Sequence, residues 1–170
     1  MVENVLKDML MEMKVVQTGE FVLASGRKSN YFVNIKRAST SPRVLKEIAK
    51  EIAPHVGDAK IAGMALGAVP LAVAVALETG NPFVMVRKEP KDHGTMELIE
   101  GEVAPGDKFV IVEDVATTGG SSLKVINALR AKGAQPLKVV VVVDREEGAT
   151  ESLAEHGVSL VSLFKAKDLA

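Results

Sequence analysis

Short runs of consecutive apolar residues alternate with helix-like segments along the chain after Lys60. The apolar runs are IAGMAL, PFVMVRK, KFVIVED, LKVVVVVD and VSLVSLF, and helix-like segments VPLAVAVALE, SLKVINALRAKG and ATESLAEHG lie between them, as does one polar loop. Strands that are apolar throughout are typical of a parallel sheet with both faces covered by helices. The pattern predicts an α/β fold with a Rossmann-like, mostly parallel sheet flanked by helices.

The first 59 residues have a different pattern. Apolar residues recur at helical spacing near the start and predict an amphipathic first helix, through Val5, Leu6, Met9, Leu10 and Met13. Residues 21–37, FVLASGRKSNYFVNIKR, place turn residues between two β-prone runs and predict a hairpin or an ordered excursion. Ser41 followed by Pro42 predicts a helix through about Ala53. We expect a single domain over residues 1–170, with residues 60–165 as the core sheet and residues 1–59 as a small N-terminal hood.

Composition and charge narrow the classes of partner. The 21 basic and 22 acidic residues nearly cancel, so no overall field favours nucleic acid or an anionic membrane. The chain has no cysteine, which excludes disulfides, thiolate metal sites and cysteine nucleophiles. No run approaches the roughly 18 apolar residues of a membrane span, and charged residues interrupt the apolar pattern at the start, unlike a signal sequence. We therefore expect a cytoplasmic protein with no nucleic-acid or membrane partner.

The most informative stretch is FVIVEDVATTGGSS, residues 109–122, where an apolar strand leads into two acids and a loop of Thr, Gly and Ser. In an open parallel sheet, ligands bind beyond the carboxyl ends of the strands. The N–H groups that begin the next helix favour a phosphate, and Gly119 and Gly120 allow the backbone to approach it. Carboxylates such as those of Glu113 and Asp114 accept hydrogen bonds from vicinal sugar hydroxyls. The stretch predicts a sugar-phosphate site.

Other interpretations of this stretch are weaker or remain open. A Walker loop requires a lysine directly after its last glycine, whereas Ser121 follows Gly120, and a GxGxxG turn is absent. A purely structural interpretation stays open, in which the glycines only form a strand-to-helix turn and the acids are solvated.

A basic loop follows the strand FVMV. Residues 87–103, RKEPKDHGTMELIEGEV, include the four groups suited to a diphosphate, Arg87, Lys88, Lys91 and His93. Pro90, Gly94 and the absence of apolar periodicity favour a loop that closes over reactants. The alternative is a solvated surface hairpin, which most loops rich in Lys and Glu are.

Residues 109–122 resemble the phosphoribosyl pyrophosphate motif of the type I phosphoribosyltransferases. The resemblance implies that fold, with Glu113 and Asp114 on the ribose 2- and 3-hydroxyls and residues 116–121 around the 5-phosphate. The implied binding segment is Glu113, Asp114, Val115, Ala116, Thr117, Thr118, Gly119, Gly120 and Ser121.

The stretch RKEPKDHG is similar to the catalytic loop of one branch, the orotate phosphoribosyltransferases. It implies that the loop's four basic residues, Arg87, Lys88, Lys91 and His93, bind the diphosphate, and that residues 87–103 reach the neighbouring site of a homodimer. Residues 21–32, FVLASGRKSNYF, resemble the family's N-terminal segment. Arg145 after VVVVVD resembles its base-binding arginine, and Thr117 would also face the base.

The resemblance implies transfer of a ribosyl phosphate from phosphoribosyl pyrophosphate to orotate. Lys91, His93 and Asp114 would be catalytic, and Mg²⁺ would be held by substrate oxygens and water, with no direct protein ligands. Alternatives are another base, a purine above all, or a regulator that binds nucleotide without turnover. The alternative for Arg145 is a salt bridge with Glu146 or Glu147.

The chain departs from the best-matched branch at two lysine positions, which are Ala24 and the segment Gly67 to Ala68 in this sequence. Three outcomes are open. The remaining basic groups bind the substrate phosphates well enough, or substrate affinity is weaker, or the chain is a regulator that binds nucleotide without turnover. Lys36 and Arg37 are expected to be surface residues.

Overall fold

The computed structural model describes residues 4–94 and 97–170 and contains one large sheet beside a small hairpin. The hairpin strands are β1 (Val16–Val22) and β2 (Lys28–Val33); the sheet strands are β3 (Lys60–Met64), β4 (Phe83–Val86), β5 (Ile99–Glu100), β6 (Lys108–Ala116), β7 (Gln135–Asp144) and β8 (Ser159–Lys165). The sheet order is β5-β4-β3-β6-β7-β8, and every neighbouring pair is parallel except β4 with β5. The predicted mostly parallel α/β sheet is confirmed.

Helices cover both faces of this sheet. They are α1 (Val5–Glu12), α2 (Ile35–Ser39), α3 (Pro42–Ile52), α4 (Val69–Thr79), α5 (Gly120–Ala131) and α6 (Ala149–Glu155), with short 3-10 turns at Ala53–His55 and Ala166–Asp168. Successive side chains of β6 point to opposite faces. Val110 and Val112 join a buried cluster with α1, α3 and α4, whereas Phe109 and Ile111 join a second cluster with α5 and α6. In the described ranges, 4–94 and 97–170, no helix is long and apolar enough to cross a membrane.

The N-terminal segment forms the predicted hairpin with different boundaries. Strand β1 begins at Val16, and the residues expected to continue the second β-prone run form α2 instead. The Asn34 side chain accepts a hydrogen bond from the Arg37 N–H at 3.3 Å and so caps this helix. Buried residues of α1 and α3 share a cluster with the central strands. The division of a single domain at residue 59 stays a prediction.

The polar loop between β4 and β6 contains a strand that the sequence pattern did not indicate. Strand β5 pairs antiparallel with β4 at the edge of the sheet, and buried Ile99 anchors it in the cluster beside α5. A strand of two residues is too short to show the alternation of apolar and polar positions by which a strand is recognised. Residues 95–96 of the predicted loop 87–103 lie outside the described residues.

The order of the strands creates a crevice between β3 and β6. The chain leaves β3 through α4 towards β4, and leaves β6 through α5 towards β7, so the two connections run to opposite sides. Because α4 and α5 also cover opposite faces, the loops that follow β3 and β6 separate at the carboxyl edge of the sheet. Ligands of open α/β sheets bind at such a switch point.

Candidate active site

Four loops meet at the carboxyl edge of the sheet, because each follows a parallel strand. They are residues 65–68 after β3, residues 87–94 after β4, residues 117–119 after β6 and residues 145–148 after β7. All four contain residues that the sequence singled out for substrate binding or as departures from the family. The fold therefore brings these segments to the same edge of the sheet.

The loop after β6 passes directly into α5. Gly119 precedes the helix with φ +88°, a left-handed conformation that side chains disfavour. Its carbonyl accepts from the Leu123 N–H at 2.9 Å, while the N–H groups in the first turn of α5 have no partner within the helix. Thr118, Gly120 and Ser121 are exposed beside this turn. The loop thus offers backbone and hydroxyl donors to an anion.

The two acids at the end of β6 have unequal environments. Glu113 is only 6% exposed, its Oε1 accepts from the Asp114 N–H at 3.2 Å, and its buried Oε2 has no hydrogen-bond partner within residues 4–94 and 97–170. Burial first, and then the charge of Asp114, raise the pKa of Glu113 well above its ordinary value. Asp114 Oδ1 accepts from the Val115 N–H at 2.9 Å. Asp114, whose side chain is 13% exposed and faces Lys36, is therefore the more accessible of the two acids for sugar hydroxyls.

Lys36, which the sequence predicts to be a surface residue, lies at this site. Its Nζ is 3.3 Å from Asp114 Oδ2, although its side chain is 59% exposed as expected of a surface residue. Gly67, after β3, packs beside both groups: a Cβ there would lie 2.9 Å from the Asp114 Cγ and 3.2 Å from the Lys36 Cε. No local pattern around Lys36 indicates the contact, because the partners are 78 residues apart.

The basic loop borders a cavity of about 540 Å³ together with Ala65 and Leu66. Lys91 and Arg87 both pair with Glu100 on β5, and the Arg87 Nε donates to Glu100 Oε1 at 3.0 Å. Hydrogen bonds from Lys91 first, and then from Arg87, lower the pKa of Glu100. His93 is exposed and also lines the cavity. The loop cations therefore face the segment after β3, with Lys91 and Arg87 partly neutralised by Glu100.

Arg145 lies beneath the N-terminal hairpin, where its side chain is 3% exposed. Its Nη2 donates to Ser29 Oγ at 3.0 Å, and its guanidinium carbon lies 4.0 Å from the centre of the Tyr31 ring. Its Nε donates to Glu147 Oε1 at 3.2 Å, so the salt bridge weighed as the alternative role is present. Arg27 also binds Glu147, at 3.1 Å. Residues 21–32 are thus joined to Arg145, directly through Ser29 and Tyr31 and indirectly through Glu147.

Comparison with known proteins gives this arrangement a family. The family described as Phosphoribosyl transferase domain matches residues 34–161, from just before α2 into β8. The chain belongs to the phosphoribosyltransferase family.

Relatives of this phosphoribosyltransferase match it over nearly its whole length. The orotate phosphoribosyltransferase of Methanocaldococcus jannaschii is 49% identical over 166 residues, which cover 96% of this chain and 94% of the relative. The crystal structure of orotate phosphoribosyltransferase from Aeropyrum pernix has a TM-score of 0.83 at 37% identity, covering 97% of this chain and 96% of that one. A Mycobacterium tuberculosis H37Rv orotate phosphoribosyltransferase in complex with 5-phospho-α-D-ribosyl 1-diphosphate has a TM-score of 0.78 at 31% identity, covering 96% of each chain. The expected family and fold are confirmed.

The side chains of this phosphoribosyltransferase suit a metal ion that is carried by its substrate. Within the described ranges, 4–94 and 97–170, no group of three or more His, Asp or Glu side chains is arranged to hold an ion. Glu113 and Asp114 supply two carboxyl groups, and burial raises the pKa of the first. Mg²⁺ typically keeps several waters and takes one or two carboxylates together with phosphate oxygens. The less buried Asp114 fits a contact to such an ion through a bound water.

Proposed function

We propose that this phosphoribosyltransferase transfers the ribosyl 5-phosphate group of phosphoribosyl pyrophosphate to orotate. The products are orotidine 5′-phosphate and pyrophosphate, a step of pyrimidine nucleotide synthesis. The observation that carries the proposal is near-complete coverage at about half identity by a relative named orotate phosphoribosyltransferase. The carboxyl edge of the sheet supplies donors for phosphate, an acid for the ribose and an arginine beside the hairpin.

In the proposed complex the sugar phosphate lies across the end of β6. Residues 116–121 would hold the 5-phosphate through the first N–H groups of α5 and the hydroxyls of Thr117, Thr118 and Ser121. Asp114 would accept hydrogen bonds from the ribose hydroxyls, and Glu113, when protonated, would donate one. Val115 continues the strand beside them. This placement directs the anomeric carbon towards the crevice between β3 and β6.

The leaving diphosphate would lie towards the basic loop. In the reaction, a ring nitrogen of orotate loses its proton and bonds to the anomeric carbon while the bond from that carbon to the diphosphate oxygen breaks, with inversion. The proton leaves with the diphosphate or passes to water. Negative charge accumulates on the departing oxygen, so catalysis depends on positioning and on nearby cations. Arg87, Lys88, Lys91 and His93 would supply those charges. Mg²⁺, with Asp114 as its protein contact through water, would further neutralise the diphosphate when bound.

Arg145 would recognise the base. Its planar guanidinium matches the carboxylate that orotate carries, and Thr117 would face the same ring from the phosphate loop. Glu147 already binds the guanidinium. Tyr31 covers it at 4.0 Å, so base binding requires the hairpin and Glu147 to adjust.

The proposed assembly is a homodimer in which residues 87–103 of one subunit close over the neighbouring site. Residues 87–90 and 92–94 are exposed, and the resemblance of this stretch to a catalytic loop supports the assignment. The proposed location is the cytoplasm, because both substrates are charged and do not cross membranes unaided.

An absorbance assay tests the proposed reaction. Purified protein, phosphoribosyl pyrophosphate and Mg²⁺ should consume orotate and release one pyrophosphate per orotidine 5′-phosphate formed. Adenine, guanine and hypoxanthine serve as competing bases in parallel reactions. No loss of orotate together with turnover of a purine would assign the protein to another base; binding of nucleotide without turnover of any base would favour a regulator.

A further inference from the structure

We propose that Lys36 is a further substrate-binding residue, whose ammonium group moves from Asp114 to the diphosphate when phosphoribosyl pyrophosphate binds. This inference rests on the proposed function and concerns the same site. It adds a cation from the helix after the hairpin, an element to which the sequence assigned no chemistry.

The first observation is the unequal exposure of the pair. The Lys36 side chain is 59% exposed, whereas that of Asp114 is 13% exposed, and their charged atoms are 3.3 Å apart. Because water screens the largely exposed Lys36, this pair contributes little to the stability of the fold. An ammonium group has three hydrogens, and the contact with Asp114 uses one. Lys36 is therefore anchored at the site while retaining donors for a ligand.

The second observation is that Gly67 has no side chain beside Lys36 and Asp114. A Cβ at this position would crowd Asp114 Oδ2 and Cγ and lie 3.2 Å from Lys36 Cε. The side chains of Lys36 and Asp114 thus occupy the space that a larger residue would need. Lys36 reaches the loop after β3 at a position that has no side chain of its own.

The third observation is the position of this loop relative to the basic cavity. Ala65 and Leu66, directly before Gly67, line the cavity together with residues 87–93. A ribose held by Asp114 would project its 1-diphosphate towards residues 65–67, with the basic loop beyond them. Lys36 would meet the diphosphate from the α2 side, and in the proposed dimer the basic loop of the neighbouring subunit would supply the other cations.

The charge balance favours transfer of the ammonium group. Glu100 already pairs with Lys91 and Arg87 in this conformation. Ribose hydroxyls that donate to Asp114 would take over part of its hydrogen bonding, and a diphosphate carries more negative charge than one carboxylate. Lys36 would then gain by turning to the diphosphate while Asp114 holds the sugar.

The test compares three variants of the full chain: Lys36→Met, Lys36→Arg and Arg37→Met. Arg37 is exposed on the same short helix and serves as the matched control. Calorimetry measures binding of pyrophosphate with Mg²⁺, steady-state kinetics give kcat and the KM of each substrate, and thermal unfolding reports folding.

We expect Lys36→Met to weaken pyrophosphate binding and to raise the KM for phosphoribosyl pyrophosphate, each by about tenfold, the effect of losing one charge-assisted contact. The KM for orotate and the unfolding temperature should stay near those of the unaltered chain. Lys36→Arg should recover most of the affinity, and Arg37→Met should match the unaltered chain.

Unchanged pyrophosphate affinity in a folded Lys36→Met variant would overturn the inference. An equal loss of pyrophosphate affinity in Arg37→Met would overturn the inference as well. Such a loss would indicate a general electrostatic effect of positive charge on α2 and not a direct contact of Lys36. If the unaltered chain binds pyrophosphate but does not convert orotate, the proposed function fails. In that case loss of pyrophosphate binding in Lys36→Met still supports the role of Lys36.

Discussion

Glu147 binds the guanidinium of Arg145 through one carboxylate oxygen, which lies 3.2 Å from Nε and 3.1 Å from Nη2. The other oxygen of Glu147 lies 3.1 Å from Arg27 on the hairpin turn. One acid thus connects the loop after β7 to the N-terminal hairpin. In the proposed reaction it also occupies the group that would receive the carboxylate of orotate.

Replacing Glu147 with Gln should therefore strengthen orotate binding. A neutral amide competes less well than a carboxylate for Arg145, so we expect the KM for orotate to fall by about threefold to tenfold, roughly 1 kcal/mol. The matched control is Glu146→Gln, because Glu146 pairs with Lys165 and Lys167 instead. Steady-state kinetics at saturating phosphoribosyl pyrophosphate measure the effect. A higher KM for orotate in Glu147→Gln would mean that Glu147 orients Arg145 and does not compete with the base.

Mixed dimers should reveal whether the basic loop acts in the neighbouring site. Lys91→Ala and Asp114→Asn should each lower kcat at least about a hundredfold, because one removes charge from the leaving-group side and the other removes the ribose acceptor. If sites are shared, co-refolded mixtures should regain up to about a quarter of normal activity, since one site in half of the dimers is intact.

The control for loss of a lysine is Lys50→Ala, which removes a surface pair with Glu47 on α3. It should leave kcat unchanged. Mixtures that stay as inactive as the two separate variants would place each loop over the site of its own subunit.

The buried carboxyl of Glu113 should make stability depend on pH. Its folded-state pKa is raised above the ordinary value of 4.5, mainly by burial. Between 4.5 and the raised value, the folded protein holds a proton that the unfolded chain has lost. Stability contributed by this group is therefore complete below that window and is lost as pH rises through it, with a slope of at most about 1.4 kcal/mol per pH unit.

Glu113→Gln keeps a hydrogen-bonding side chain and removes the titration. We expect its free energy of unfolding, measured by urea denaturation, to decline less than that of the unaltered chain as pH rises from 4.5. Parallel curves for the two proteins would contradict the raised pKa.

Gly119→Ala and Gly120→Ala should differ in stability although the residues are adjacent. Gly119 has φ +88°, so a Cβ there costs about 1–2 kcal/mol. Gly120 is helical, and a Cβ would meet nothing nearer than the Thr118 Oγ1 at 3.7 Å. Thermal unfolding should place Gly119→Ala about 2–8 °C lower and leave Gly120→Ala at or above the original midpoint. Equal midpoints would remove the backbone argument for glycine at position 119.

Much of the fold was predictable from local pattern. Apolar runs of strand length and the helices between them depend on neighbours in sequence, so β3, β4, β6, β7 and β8 were all recognised. Strand β5 was missed, because two residues carry no period. Helix α2 was missed, because its start depends on a single capping contact from Asn34.

For the site, the sequence by itself determined the chemical groups, and the tertiary structure decided their partners. The acids, glycines and hydroxyls of residues 113–121 are contiguous, so their order alone predicts a sugar-phosphate site. Lys36 and Asp114 are 78 residues apart, and Ser29 and Arg145 are 116 apart. Contacts over such separations form only when α2 and the hairpin pack over the carboxyl edge of the sheet. The burial that raises the pKa of Glu113 likewise exists only in the folded chain.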